Sequence, residues 1–176
     1  MSVTTTCRDI KELNPVAQKA CNLFMAECKK AGLNVCITET YRSQARQNYL
    51  YAQGRTRPGN KVTWTKNSRH TGRMAWDICK NVRGQEYSDD KFFEQCGAIA
   101  KKLGITWGGT WKTPDRPHFE VTASWKAPTT VNSTNPELEK LKKKVKTRFY
   151  FSDETIEYLS KYKYAVSLFE RLANTK

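Results

Sequence analysis

The chain has 176 residues, 31 Lys+Arg against 17 Asp+Glu, a formal net charge of +14, 38% hydrophobic residues and 11% aromatic ones. That is chain enough for one compact domain with a small appendage; five Trp, eight Tyr and seven Phe argue against disorder, and no run approaches the roughly 20 apolar residues that a membrane span needs. The basic excess favours polyanionic partners, whether nucleic acid, an anionic membrane surface or an anionic polymer, without choosing among them.

The N-terminal stretch MSVTTTCRDIKELN lacks the charged-then-apolar layout of a secretory signal, so the chain is expected to start in the cytoplasm. Residues 15–31 repeat Val16, Ala20, Leu23, Phe24 and Cys28 at helical spacing, with Asn14 and Pro15 as a start and Gly32 as a stop. A strand follows over 33–38, then a helix over 43–53 closed by Gly54. Residues 55–69 carry Pro58, Gly59, Asn60 and Asn67 and read as a long surface loop, a kind of segment that tends to be functional. Residues 74–79 form a short apolar strand interrupted by one acid, Asp77; 89–103 form an amphipathic helix; and 105–107 and 118–122 are strands joined by the turn-rich GGTWKTPDRP. Helices and strands mix without a βαβ rhythm, which favours an α+β domain.

KAPTTVNSTNP, residues 126–136, has the composition of a linker. It separates a first domain, 1–125, from an α-helical hairpin, 137–176, whose first helix bears the stripe Leu138, Leu141, Val145 and Phe149. The second helix starts at Ser152 and runs through Ile156, Leu159, Tyr162, Val166, Phe169 and Leu172. Six cysteines, at 7, 21, 28, 36, 79 and 96, contain no CxxC spacing and are expected to be reduced thiols packed as small apolar groups.

Both histidines lie in informative surroundings: His70 in SRHTGRMAWD, ending at Asp77, and His118 in DRPHFE, opening at Asp115. A catalytic zinc takes three protein ligands and leaves a fourth position for water, and His70, Asp77 and His118 could supply that set. Gly72 would permit a tight turn after His70, leading into the strand that carries Asp77. Asp115 stands near enough to His118 to act as the base that moves a proton from water to a leaving nitrogen. Glu120 competes for that role, or else orients the His118 ring.

Ser68, His70, Gly72, Ala75 and Asp77, followed by Asp115, Pro117, His118, Phe119 and Glu120, resemble the signature of the zinc-dependent D-alanyl-D-alanine carboxypeptidase and L-alanyl-D-glutamate peptidase superfamily, whose phage members are endolysins. The resemblance extends through Tyr41-Arg42-Ser43, Gln47, Leu50 to Thr56 and Trp107-Gly108-Gly109. It implies a small antiparallel sheet packed with helices, with zinc held by His70, Asp77 and His118 and Asp115 as catalytic acid/base. Arg42 would steady the carbonyl oxygen, and Ser68 would orient substrate or the His70 loop. The YAQGRT and WGG segments look most like phage L-alanyl-D-glutamate peptidases, although Thr110 stands where relatives commonly carry an acid. The implied activity is cleavage of the L-Ala–D-Glu bond of peptidoglycan by an endolysin held in the host cytoplasm until lysis. The helical hairpin would then meet anionic wall polymers, and neither nucleic acid nor stable membrane insertion is expected. Alternatives are a D-alanyl-D-alanine carboxypeptidase of the same superfamily and a non-catalytic nucleic-acid-binding protein, the latter suggested by Lys140 to Arg148 and the aromatic residues that follow.

Overall fold

Asn14 starts the first long helix, α1 (Pro15–Lys30), by accepting a hydrogen bond from the Val16 N–H at 3.1 Å in a computed structural model that describes residues 2–128, 136–160 and 165–175. Pro15 fits the first turn because its missing N–H would have no partner there. Ala17, Ala20, Cys21, Phe24 and Cys28 recur every three or four residues and are buried. Ser43 and Asp89 cap α2 (Gln44–Ala52) and α3 (Asp90–Lys102) in the same way. Single 3-10 turns occupy Ile10–Glu12 and Gly108–Thr110.

Four strands, β1 (Val35–Glu39), β2 (Ala75–Lys80), β3 (Thr106–Trp107) and β4 (His118–Glu120), form an antiparallel sheet in the order β1-β2-β4-β3. The protein is therefore α+β, with the sheet packed against helices. Side chains alternate between the two faces of a strand, and the register sorts them by chemistry. On one face Trp76 stands opposite Phe119 and Ile78 opposite Ile37. Phe24 of α1 packs on that face with its ring centroid 4.7 Å from Phe119 and 6.0 Å from Trp76. On the other face Asp77 stands opposite both His118 and Glu39. Five of the six cysteines are buried, which suits packing as small apolar groups.

Trp107 stacks on Phe119 at 6.5 Å and leaves room for nothing larger than glycine around its indole. A Cβ at Gly97 of α3 would lie 2.2 Å from the ring, and one at Gly109 would lie 2.1 Å from it. Gly97→Ala gains roughly 1 kcal/mol of helix propensity, but a clash with a packed ring outweighs it. The expected net destabilisation is about 2 kcal/mol, read as a lower urea midpoint at unchanged slope.

The chain comprises two compact units, Met1–Pro128 and Thr129–Lys176. In the second unit, α4 (Pro136–Phe149), α5 (Asp153–Ser160) and α6 (Ala165–Asn174) enclose Val145, Ile156, Phe169 and Ala173. Tyr150, at φ 55°, turns the chain out of α4. The Ser152 hydroxyl then accepts from the Thr155 N–H at 3.1 Å to start α5. The first expected helix of the hairpin is α4, and α5 and α6 both fall within the second. The Ser160 hydroxyl donates to the Ile156 carbonyl at 2.6 Å in the last described turn of α5. Residues 161–164, and 129–135 of the expected linker, lie outside the described residues. Among the described residues no helix is long and apolar enough to cross a membrane.

Candidate metal centre

The polar face of the sheet gathers the two histidines and Asp77. One donor atom from each of His70, Asp77 and His118 lies within 4.8 Å of the other two. His118 reaches this point through strand pairing, which sets it beside Asp77. His70 arrives from a loop, followed by the tight turn expected around Gly72. Gly72 has no positive φ; the left-handed residue is Arg73, at φ 61°. An L-residue is costly there, and Arg73 is held by Glu12, with Nη1 to Oε2 at 2.5 Å, and by the Tyr41 ring, 3.8 Å from its guanidinium carbon. Its backbone N–H donates to the His70 carbonyl at 3.1 Å and its carbonyl accepts from Asn14 at 2.8 Å, so the turn is tied at both ends.

Hydrogen bonding fixes which ring nitrogens face inward. His70 Nδ1 lies 2.6 Å from the Thr40 carbonyl, which can only accept, so Nδ1 carries the proton and Nε2 is left with a lone pair. His118 Nε2 lies 3.0 Å from Glu120 Oε2, so Nε2 donates and Nδ1 faces inward bare. His70 Nε2 and His118 Nδ1 are 3.2 Å apart, and Asp77 Oδ1 is 3.1 Å from the first and 3.2 Å from the second. Three lone pairs so placed repel unless a proton or a metal cation sits among them. The edge of a tetrahedron with zinc–nitrogen bonds has a length of about 3.3 Å, so the donor set fits that ion in both chemistry and spacing.

Charge in the cluster follows the same logic. Burial opposes ionising Asp77, but the two imidazoles beside it hold its carboxyl well below the usual carboxylate range. Burial likewise opposes a charge on His118, yet with a proton on Nδ1 facing Asp77 as well as on Nε2 facing Glu120 the two carboxylates prevail and its pKa is pushed up to about 9; a metal ion at the site would take the place of the Nδ1 proton. Glu120 is in turn lowered by its hydrogen bond to His118. Glu120 therefore stands behind His118 as its orienting partner in the structure. Glu120→Ala, which frees the ring to choose its tautomer, is expected to weaken zinc affinity about 10- to 100-fold, measured by competition with a chromogenic chelator.

The cluster opens into a cleft of about 980 Å³ that Arg42, Ser68 and Asp115 also line. Asp115 reaches solvent but stands among packed neighbours that partly desolvate its carboxyl. Its carboxyl is raised above the ordinary value by withdrawal from water and by the charge of Asp77, against the pull of His118, His70 and Arg42. Its position depends on Gly108, whose carbonyl accepts from the Asp115 N–H at 2.9 Å. A Cβ at Gly108 would lie 2.6 Å from the Asp115 carbonyl oxygen. Ser68 Oγ accepts from the His70 N–H at 3.3 Å, within the turn that presents His70.

Arg42 is largely engaged inside the protein. Its Nη2 lies 2.5 Å from Glu39 Oε2, its Nη1 2.8 Å from Gln47 Oε1, and Nη2 is 3.5 Å from Asp77 Oδ2. Glu39 also accepts from Arg46 Nε at 2.7 Å. Buried charges are retained when paired, and this chain of Arg46, Glu39, Arg42 and Asp77 anchors the carboxylate ligand. Sequence reading had no role for Glu39, Thr40 or Trp111, whose ring centroid lies 5.1 Å from that of His118. Glu39 sits at the end of a strand and its partners lie across a turn and in a helix, so no single periodicity links them.

An α+β core with a His/Asp/His donor set opening on a cleft suits metal-assisted hydrolysis, and comparison with known proteins points to peptidases. Residues 61–121 match the D-alanyl-D-alanine carboxypeptidase family model. The chain is 32% identical over 126 residues to the peptidoglycan L-alanyl-D-glutamate endopeptidase CwlK of Bacillus subtilis, an alignment covering 62% of this chain and 74% of that protein. The crystal structure of the Serratia marcescens L-Ala D-Glu endopeptidase ChiX superposes with a TM-score of 0.52 at 25% identity, covering 67% of this chain and 89% of that one. The chain belongs to this family of zinc-dependent peptidases.

Proposed function

We propose that the protein is a peptidoglycan hydrolase that cleaves the stem peptide between L-Ala and D-Glu, with a zinc ion held by His70, Asp77 and His118. The observation that carries this reading is the meeting of three inward lone pairs at 3.1–3.2 Å, each fixed from behind. A divalent ion in such a site polarises a carbonyl and lowers the pKa of water to about 7. Thr40 and Glu120 hold the two rings in the tautomers the site requires, and Arg42 holds Asp77. Asp115 takes a proton from the attacking water; as the C–N bond breaks, it returns that proton to the nitrogen that leaves. A carboxyl raised above its ordinary value serves both transfers better than a strongly acidic one. Arg42 lines the cleft and contributes positive charge where the carbonyl oxygen becomes negative. Ser68 keeps the His70 turn in shape.

The bond assignment is supported by the names of two relatives, both L-Ala–D-Glu endopeptidases. We further propose that the enzyme serves as a phage endolysin, made in the host cytoplasm and acting on the wall at lysis, a role supported by the likeness of the YAQGRT and WGG segments to phage peptidases. Residues 1–125 are then the catalytic domain, 126–136 the linker and 137–176 a wall-targeting unit. Its basic residues would draw the enzyme toward anionic wall polymers, with an attraction that weakens as salt rises. Purified cell walls treated with the enzyme should yield new D-Glu amino termini, and a chelator should stop their appearance. Release of free D-Ala instead would assign a carboxypeptidase. An inert wall together with tight oligonucleotide binding would sink the hydrolase reading.

A further inference from the structure

We propose that Lys112 is a specificity-determining residue that binds the carboxylate retained by the D-glutamyl residue on the leaving side of the scissile bond. This rests on the bond assignment above.

A glutamyl residue that continues a peptide through one carboxyl keeps the other as a free carboxylate. That anion lies close to the amide being cut, on the side of the departing nitrogen. Asp115 delivers the proton to that nitrogen, so the leaving side of the substrate lies against the loop that carries Asp115. The cation this loop presents to the cleft is Lys112, three residues before Asp115 in sequence and lining the same cleft.

The other positive groups of the cleft are committed or stand elsewhere. Arg42 is paired with Glu39 at 2.5 Å, and Arg69 lies 3.6 Å from Glu120. Lys61 belongs to the separate 55–69 loop and sits over the Trp64 ring at 5.6 Å. Lys112 has neither a hydrogen bond nor an ion pair among the described residues. Its backbone is nevertheless anchored. The Trp111 N–H donates to the Gly108 carbonyl at 3.1 Å, and the Trp107 indole N–H donates to the Arg116 carbonyl at 2.8 Å. A loop anchored on both sides of Lys112, with an uncommitted lysine lining the same cleft as Asp115, is what recognition of a nearby carboxylate needs.

Two soluble substrates test this: an N-acetylated L-Ala–D-Glu peptide continued through the γ-carboxyl, and the same peptide with its α-carboxylate amidated. The wild-type zinc enzyme should prefer the acid by about tenfold in kcat/KM, as a charge-assisted contact implies. Lys112→Met should erase that preference by raising KM for the acid about tenfold, with kcat and the amidated peptide nearly unchanged. Lys112→Arg should retain most of the preference, and circular dichroism should show all variants folded. Equal losses on both peptides would overturn the proposal, because they mark a merely structural role. So would a preference that survives Lys112→Met but vanishes in Lys61→Met. Cleavage of both peptides by the wild type without preference removes the carboxylate site and leaves the bond assignment standing. Cleavage of neither removes the bond assignment and this site together.

Discussion

Replacing either His70 or His118 with alanine is expected to leave the protein without bound zinc and to lower wall hydrolysis by on the order of a thousandfold or more. The size follows from what is lost. A Lewis acid in a dry site supplies several kcal/mol of transition-state stabilisation, and each 1.36 kcal/mol is about tenfold in rate. Neither ring is a replaceable ornament. His70 is 1% exposed and His118 6% exposed, and each is clamped from behind by Thr40 or Glu120. Removing one leaves a nitrogen and an oxygen where the ion needs three donors. Elemental analysis of the purified variant, together with counts of newly exposed amino termini on cell walls, checks both halves. Full zinc content with full activity in either variant would overturn the assignment of that ligand.

Asp115→Asn should separate metal binding from proton transfer. Asp115 is not among the three clustered donors, so zinc content should remain at the wild-type level. The amide that replaces the carboxyl has almost the same shape but cannot take a proton from water near neutral pH. Loss of a positioned acid/base typically costs about 10²- to 10⁴-fold, and that range is expected in kcat with a small change in KM. The contrast with Glu120→Ala is diagnostic. That variant should act first on zinc affinity and regain activity as zinc is added, whereas added zinc should do nothing for Asp115→Asn. If the two responses are reversed, Glu120 is the base and Asp115 is not.

The helices were legible because their signals are local. Asn14 and Pro15 mark the start of α1, Ser43 that of α2 and Asp89 that of α3, and each cap bonds to a backbone N–H two or three residues on. The single acid in an apolar strand was legible for the same reason, since Asp77 breaks a run that would otherwise be buried throughout. The turn after His70 lies around Gly72 as expected, but its left-handed residue is the next one, Arg73. Glycine is the usual choice for positive φ, yet Arg73 holds that conformation, because Glu12, Tyr41 and Asn14 restrain it from elements distant in sequence.

By itself the sequence determined the residue types at the site, the domain that holds them and the chemistry they suit, because donor identity and local capping are properties of short segments. Only the tertiary structure decided how those donors meet. The pairing of Asp77 with His118 across β2 and β4, the Thr40 carbonyl behind His70 and the Arg46–Glu39–Arg42 relay to Asp77 all join residues far apart in the chain or across an element boundary. A hydrogen bond needs its partners about 3 Å apart, and it is the register of the sheet and the packing of Phe24 against Trp76 and Phe119, not any spacing along the chain, that brings them there.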